Sequence, residues 1–253
     1  MSGPSSPAFG LYAERYARYR PTYPPALYDL LLSHLEGSHS HAVDLGAGSG
    51  QVAVDLSKRF DRVTAVDPDA AMAALIPARD GLDVVVARAE EASFPDASID
   101  LVTAGTAFHW MDENIVCPRA ARWLRPGGVF AAFIYSRFTM PEAPGVEAIA
   151  DAEGALWEAH KDERLAQFVP YVERMTASGA FARVEAFSIT HDWRTTPEAF
   201  AGLGMTTSFG NAYAQATGDE AAYWADFSAR IKAAAKSDTL LVRYPIDGAI
   251  GWA

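Results

Sequence analysis

The stretch VDLGAGSG at residues 43–50 decides the fold. A short apolar run at 42–45 leads into three glycines at alternate positions, and apolar residues with helical spacing follow at 51–60. Glycines between a strand and a helix let the backbone turn sharply and approach a ligand closely. The stretch therefore predicts a buried parallel strand, a ligand-binding turn and a helix, in that order.

The chain around this turn alternates between strands and helices. Further strands are predicted at 62–66, 83–87, 99–104 and 129–135, and helices at 70–76 and 113–124. An N-terminal helical segment at 11–36 is broken by Pro21, Pro24 and Pro25. Alternation of this kind implies βαβ units, right-handed crossovers and a parallel sheet covered by helices on both faces.

The alternation stops after residue 135. Helices are predicted at 147–160, 162–178, 196–204 and 219–236, and strands at 184–193 and 240–252. We expect Pro245 to break the last of these strands. Two late strands after a helical insertion predict an antiparallel edge pair on a mostly parallel sheet.

Composition and charge narrow the range of functions. The 253 residues are 50% apolar and 21% charged, and no run of about 18 apolar residues could cross a bilayer. A net charge of −11 disfavours nucleic acid as a partner. With Cys117 as the single cysteine and no apolar signal segment at the start, we expect a cytoplasmic protein without disulfides. His34, His39 and His41 lack carboxylate partners, so no metal site is expected.

Acidic residues are associated with the first two strands. Asp44 places a carboxylate inside the turn, which suits a cationic ligand better than a pyrophosphate. Asp67 ends the second strand, 21 residues after Gly46, where a carboxylate can accept two hydrogen bonds from a ribose diol. The dinucleotide fingerprint G-x-G-x-x-G requires a glycine where Gln51 stands, which disfavours a dehydrogenase.

The ordered set of motifs resembles the class I S-adenosylmethionine-dependent methyltransferases of the type 11/12 group, which includes trans-aconitate-like enzymes. The segments that carry the resemblance are VDLGAGSG, AVDPDAAM at 65–72, RAEEASFPDASIDLV at 88–102, TAFHW at 106–110, RWLRPGG at 122–128 and YARYRPTYP at 16–24. The resemblance covers about residues 12–135. It implies an α/β fold with a Rossmann-like, seven-stranded, mostly parallel sheet, helices on both faces, an antiparallel last strand and a helical cap over the acceptor site.

The resemblance also implies S-adenosylmethionine as the cofactor. The binding residues that it carries over are Asp44, Gly46, Ala47, Gly48 and Ser49 for the methionine part, Asp67 for the ribose, and Pro68, Met72, Ala89 and Glu90 for the adenine. Thr106 would line the side of the sulfonium. Tyr16 and Arg20 would lie on a lid over the cofactor, with Arg20 reaching its carboxylate.

The residues that bind the methyl acceptor are expected after the fourth strand. His109 is the main catalytic candidate, as a general base or as a hydrogen-bond donor to the acceptor, and Tyr16 is the second. A carboxylate acceptor needs no base, whereas a phenol, an alcohol or an ammonium group does. Trp110, Tyr135 and Arg137 are expected to bind the acceptor, Arg137 by pairing with an anionic group.

The expected organisation has four parts: a helical lid at 1–40, a cofactor-binding core at 41–136, a helical acceptor cap at 137–180 and 195–238, and final strands at 181–194 and 239–253. The expected function is methyl transfer to a small molecule, to oxygen of a carboxylic acid or of a secondary metabolite, by a monomer or homodimer without a membrane partner. Two alternatives stay open. A cyclase or alkyl transferase would release methylthioadenosine, and a non-catalytic protein would only bind S-adenosylmethionine.

Overall fold

The computed structural model describes residues 12–37 and 39–253. Its strands are β1 (His41–Leu45), β2 (Arg62–Asp67), β3 (Leu82–Val86), β4 (Ile99–Gly105), β5 (Leu124–Tyr135), β6 (Arg183–Thr195) and β7 (Leu240–Trp252). Its α-helices are α1 (Ala13–Tyr19), α2 (Pro25–Ser33), α3 (Gln51–Leu56), α4 (Ala70–Ala73), α5 (Glu113–Trp123), α6 (Pro144–Trp157), α7 (Glu163–Ala166), α8 (Tyr171–Ala177), α9 (Pro197–Gly204), α10 (Ser208–Ala216) and α11 (Glu220–Ala234). None of the helices in these described ranges is long and apolar enough to cross a membrane.

The chain divides into two compact units. The first contains the described residues up to Pro21 together with Arg137–Phe168 and Thr190–Pro245. The second contains Thr22–Ser136, Val169–Ile189 and Ile246–Ala253. The first unit therefore holds α1, α6, α7 and α9–α11, and the second holds most of the sheet with α2–α5 and α8.

The strand order β3-β2-β1-β4-β5-β7-β6 confirms the predicted seven-stranded, mostly parallel sheet. β1 pairs in parallel with β2 and β4, β2 with β3, and β4 with β5. β7 runs antiparallel to β5, and β6 forms the edge beyond it. The order reverses between β1 and β4, and ligands of open α/β sheets bind at the carboxyl ends of the strands on either side of such a point.

Side chains of the central strands alternate between two hydrophobic cores in the second unit. Val43, Leu45, Val102 and Phe130 belong to one core. The neighbouring residues Ala42, Leu101, Val129 and Phe133 belong to the other, where they meet Leu27 and Leu31 of α2. Because strand side chains point alternately to opposite faces, this division means that the centre of the sheet is covered on both sides.

Three features of the chain after residue 135 differ from the sequence predictions. Pro245 does not break β7: the β5 ladder begins at Ile246, so the missing N–H of Pro245 removes no bond from that ladder. The helix predicted at 162–178 is two helices, α7 and α8, because Pro170 disfavours a helical residue before it and begins α8 as the N-cap. α10 was missed because Gly210 and Asn211 lower its helix propensity.

The unit boundaries also differ from the expected domains. The chain passes from the first unit to the second after Pro21 and not near residue 40, because α2 is part of the sheet's core. α8 belongs to the second unit, although residues up to 180 were expected in the cap. Residues 1–11 and 38 of the expected lid lie outside the described residues.

Candidate functional site

The glycine-rich turn after β1 is held closely against its neighbours. Gly46, Gly48 and Gly50 have φ of 67°, 57° and 89°, in the left-handed region that favours glycine. A Cβ on Gly46 would lie 2.5 Å from the Cβ of Ala107. The turn is fastened to β2 by hydrogen bonds from the N–H groups of Gly46 and Ala47 to the carbonyl of Val66, at 2.8 and 3.0 Å.

Asp67 joins the end of β2 to this turn. Its Oδ2 accepts a hydrogen bond from the Gly48 N–H at 2.7 Å, and its Oδ1 accepts one from the Asp69 N–H at 2.9 Å. Burial raises the pKa of the Asp67 carboxyl, and these two amides oppose that rise. An ionised carboxylate has about four acceptor positions. Asp67 can therefore keep both amides and still accept two hydrogen bonds from a diol.

Among the acidic residues of the site, Asp44 has the most strongly shifted pKa. Its Oδ1 accepts a hydrogen bond from the Thr103 hydroxyl at 2.8 Å, and its Oδ2 accepts one from the Ala53 N–H at 3.1 Å. Complete burial raises the pKa of this carboxyl to about 7, although both hydrogen bonds act in the opposite direction. A nearby cation would favour its ionised form.

The residues expected around the adenine lie near the carboxyl ends of β2 and β3. Met72 and Ala89 are buried, whereas Pro68 is exposed. Glu90 accepts a hydrogen bond from the Asp112 N–H at 3.0 Å and pairs with Arg88 at 3.4 Å. The carboxylate of Glu90 thus supports the start of α5 whether or not it meets a ligand.

Thr106 follows β4 in a strained conformation. Its φ of 52° is unusual for a β-branched residue, and its N–H donates to the Phe133 carbonyl at 2.7 Å. The Thr106 hydroxyl lies 2.7 Å from the Tyr23 hydroxyl. Tyr23 in turn stacks on Tyr135, with 4.7 Å between the ring centres. Sequence reasoning missed Tyr23, although it stands in the YARYRPTYP motif.

His109 lies in a single 3-10 turn, Phe108–Trp110, and only 5% of its surface is exposed. Its Nδ1 is 2.7 Å from the hydroxyl of Tyr171, the first residue of α8. Trp110 is half-buried, with its ring centre 4.7 Å from that of His109. Sequence reasoning did not identify the contact of His109 with Tyr171, which stands 62 residues later and outside every motif.

Three expected site residues belong to the first unit. The guanidinium of Arg20 lies over the Tyr16 ring, 4.8 Å from its centre, and donates to the Thr206 carbonyl at 3.2 Å. Its Nε has no hydrogen-bond partner among the residues that the structure describes. Arg137 is exposed and pairs with Asp151 at 2.7 Å. The lid role of Tyr16 and Arg20 and the acceptor role of Arg137 stay predictions.

The family of this chain is indicated by three comparisons. Residues 43–132 match the family described as a methyltransferase domain. A solved structure named as a type II methyltransferase from Anaeromyxobacter dehalogenans is 30% identical, with a TM-score of 0.72 over 92% of this chain and 98% of that chain. An uncharacterized methyltransferase of Mycobacterium tuberculosis is 40% identical over 124 residues, 48% of this chain and 49% of the relative.

More distant structures share the fold alone. A Haemonchus contortus phosphoethanolamine N-methyltransferase 2, solved with phosphomonomethylethanolamine and S-adenosylhomocysteine, is 15% identical, with a TM-score of 0.52 over 96% of this chain and 58% of that chain. The chain spans about half the length of the curated relatives that it matches, such as those of Mycobacterium tuberculosis and Dictyostelium discoideum. The residues that match the family model, 43–132, contain the glycine-rich turn and Asp67.

Proposed function

Since the chain belongs to the class I S-adenosylmethionine-dependent methyltransferases, we propose that it transfers the methyl group of S-adenosylmethionine to a small organic acceptor. The observation that carries the proposal is the 2.7 Å hydrogen bond between the Gly48 N–H and Asp67. It holds the Asp67 carboxylate, the candidate group for ribose binding, beside the glycines of the turn and at the point where the strand order reverses.

The residues of the turn fit this cofactor chemically. A cationic ligand compensates the charge of Asp44, whose ionisation is otherwise opposed by burial. Asp67 has acceptor positions left for both ribose hydroxyls. Buried Met72 and Ala89 supply the apolar contacts that an adenine ring requires.

The reaction requires little of the protein beyond alignment. S-adenosylmethionine supplies a methyl group on a cationic sulfur, so charge is dispersed when that group is transferred. Holding two reactants in line and excluding water is worth up to roughly 7–11 kcal/mol of the barrier. A base is needed only where the acceptor is protonated. Methylation of a carboxylate oxygen therefore requires the fewest catalytic groups from this site, because a carboxylate needs no base.

Product analysis tests the proposal. The protein is incubated with S-adenosylmethionine and a panel of small carboxylic acids, phenols and amines, and the nucleoside product is separated by chromatography. Release of S-adenosylhomocysteine together with a methylated acceptor supports it. Release of methylthioadenosine would show alkyl transfer instead. Intact S-adenosylmethionine with every acceptor would indicate a binding protein, and both of these outcomes contradict the proposal.

A further inference from the structure

We infer that Gln51 is a positioning residue for the methionine end of the cofactor: its side-chain amide holds the Ser49 hydroxyl so that the hydroxyl hydrogen points at the carboxylate of the cofactor. The turn then distinguishes nucleosides that carry an amino-acid group from those that lack it. This assignment rests on the proposed function and adds a specificity-determining residue to the same site. Gln51 is the residue that stands where the dinucleotide fingerprint has a glycine.

The backbone on both sides of Ser49 is fixed by hydrogen bonds. The Gly48 N–H is held at 2.7 Å by the carboxylate at the end of β2, and the Gly50 N–H donates to the carbonyl of Ala47 at 2.9 Å. Gly50 is left-handed, with φ of 89° and ψ of 18°, and is the N-cap of α3. Because the chain bends at Gly50, the side chains of its two neighbours reach each other, and Gln51 Nε2 lies 2.8 Å from Ser49 Oγ.

The direction of this hydrogen bond leaves the hydrogen of the Ser49 hydroxyl available. A side-chain amide nitrogen only donates, so Gln51 Nε2 is the donor and Ser49 Oγ is the acceptor. In the part of the chain that the structure describes, no acceptor takes the single hydrogen of the hydroxyl. Ser49 is 9% exposed, and a buried donor without an acceptor is unfavourable. The turn therefore holds a donor that suits an acceptor atom of a ligand.

The polar side chains of the turn match the two charges of an amino acid. Between residues 43 and 51, Asp44 is the one acid, and the other two polar side chains are those of Ser49 and Gln51. S-adenosylmethionine carries an ammonium group and a carboxylate on the same carbon. The carboxyl of Asp44 suits the ammonium group, and the fixed hydroxyl of Ser49 suits the carboxylate, since hydrogen bonds to an ionised group are among the strongest.

Calorimetric titration with two nucleosides tests this role without turnover. S-adenosylhomocysteine carries the amino-acid group, whereas methylthioadenosine has the same adenosine and a thioether but lacks that group. Gln51→Met removes the amide and keeps the length of the side chain, so the Ser49 hydroxyl loses its fixed orientation. We expect the affinity for S-adenosylhomocysteine to fall roughly threefold to thirtyfold, as for one hydrogen bond to a charged group, and that for methylthioadenosine to stay within about twofold.

Gln51→Glu tests the direction of the hydrogen bond. An ionised carboxylate only accepts, so Glu at this position would take the hydrogen of Ser49 and would also repel the carboxylate of the ligand. We expect a larger loss of affinity for S-adenosylhomocysteine than in Gln51→Met, again with little change for methylthioadenosine. An affinity for S-adenosylhomocysteine equal to that of the wild type would show that the amide oxygen faces Ser49, and it would overturn the inference.

Gln167→Met is the matched control, because the amide of Gln167 also donates to a neighbouring side chain, that of Glu163, but is exposed and belongs to the first unit. It should bind both nucleosides as the wild type does. Melting temperatures without ligand show that each variant folds, and Gln51→Glu carries the test if Gln51→Met does not fold.

The pair of ligands separates the possible outcomes. If Gln51→Met bound S-adenosylhomocysteine as tightly as the wild type, or lost the same factor for both nucleosides, Gln51 would at most support the turn as a whole. Either result would overturn the inference and leave the proposed function intact. A wild type that binds neither nucleoside would contradict both.

Discussion

At the scale of single residues, the buried carboxyl of Asp44 gives the protein a testable pH dependence. Its pKa is raised by burial from 3.8 to about 7, so between these values the folded protein holds a proton that the unfolded chain has released. The stability that Asp44 contributes is therefore complete at low pH and is lost as the pH rises towards 7. Within that pH range, each pH unit lowers the free energy of unfolding by about 1.4 kcal/mol at most.

The measurement compares wild type with Asp44→Asn, which does not titrate. The free energy of unfolding in urea, measured at several values between pH 4 and 8 without cofactor, should show the wild type losing stability relative to the variant as pH rises. A difference that stays constant, or grows in favour of the wild type, would show that Asp44 is ionised in the folded protein throughout.

Asp67 has the most direct predicted effect on the cofactor. Asp67→Ala removes charge-assisted hydrogen bonds to the ribose and should weaken binding of S-adenosylmethionine by about 1–3 kcal/mol. Asp83→Ala is the control, because Asp83 is an exposed carboxylate paired with Arg62 on the neighbouring strand. Calorimetric titration that gives equal affinities for wild type and Asp67→Ala would rule out the ribose role.

Single residues also show where sequence reasoning stops. Asp44, Asp67 and the glycines were identified because their chemistry is local: each stands at the end of a strand or in the turn that follows it. The contact between Tyr171 and His109 was not identified, because it depends on α8 returning to the sheet after a long insertion. The hydrophobic periodicity of neither segment indicates that contact.

At the scale of elements, the turn between β1 and α3 should tolerate no side chain at its first glycine. Gly46→Ala puts a Cβ 2.5 Å from Ala107 and requires a left-handed φ of 67°. We expect a loss of at least about 1 kcal/mol in stability together with loss of cofactor binding. The melting temperature and a titration with S-adenosylmethionine measure the two effects.

Gly154 provides the matched control for this substitution. It lies inside α6, and a Cβ there would meet nothing within 4 Å. Gly154→Ala should therefore leave cofactor binding intact and stabilise the protein by up to about 1 kcal/mol. If Gly46→Ala and Gly154→Ala had the same melting temperature and the same affinity for S-adenosylmethionine, the close contact at Gly46 would not be required for the conformation of the turn.

Elements were predictable where the pattern was local and strong. The first five strands were recovered from short apolar runs next to turn residues, and α5 from its periodicity. β3 is a partial exception: Val84, Val85 and Val86 are at least 41% exposed, because β3 is an edge strand and an apolar run alone does not show which strand lies at the edge. The split between α7 and α8 shows that a proline can outweigh periodicity.

At the scale of the whole molecule, net charge predicts the partners that the chain avoids. With a charge of −11, the protein should not shift duplex DNA of random sequence in a gel at about 50 mM salt, where electrostatic binding is strong. A shift that disappears as salt is raised would reveal a local basic surface and contradict the expectation that nucleic acid is not a partner.

The resemblance implied a seven-stranded, mostly parallel sheet with an antiparallel last strand, but the order of the strands was not predicted. An alternating pattern predicts a parallel sheet but leaves several strand orders open, and the observed order β3-β2-β1-β4-β5-β7-β6 places the turn after β1 at the reversal point. The division into two units could not be read from the chain, because each unit is assembled from three separate segments.

The most direct test of the account is a crystal structure of the protein with S-adenosylhomocysteine at saturating concentration. We expect the nucleoside to lie against the turn at 46–50, with both ribose hydroxyls within hydrogen-bond distance of the Asp67 carboxylate. A well-ordered turn with no nucleoside beside it, or the nucleoside bound elsewhere with Asp67 still holding only Gly48 and Asp69, would contradict it.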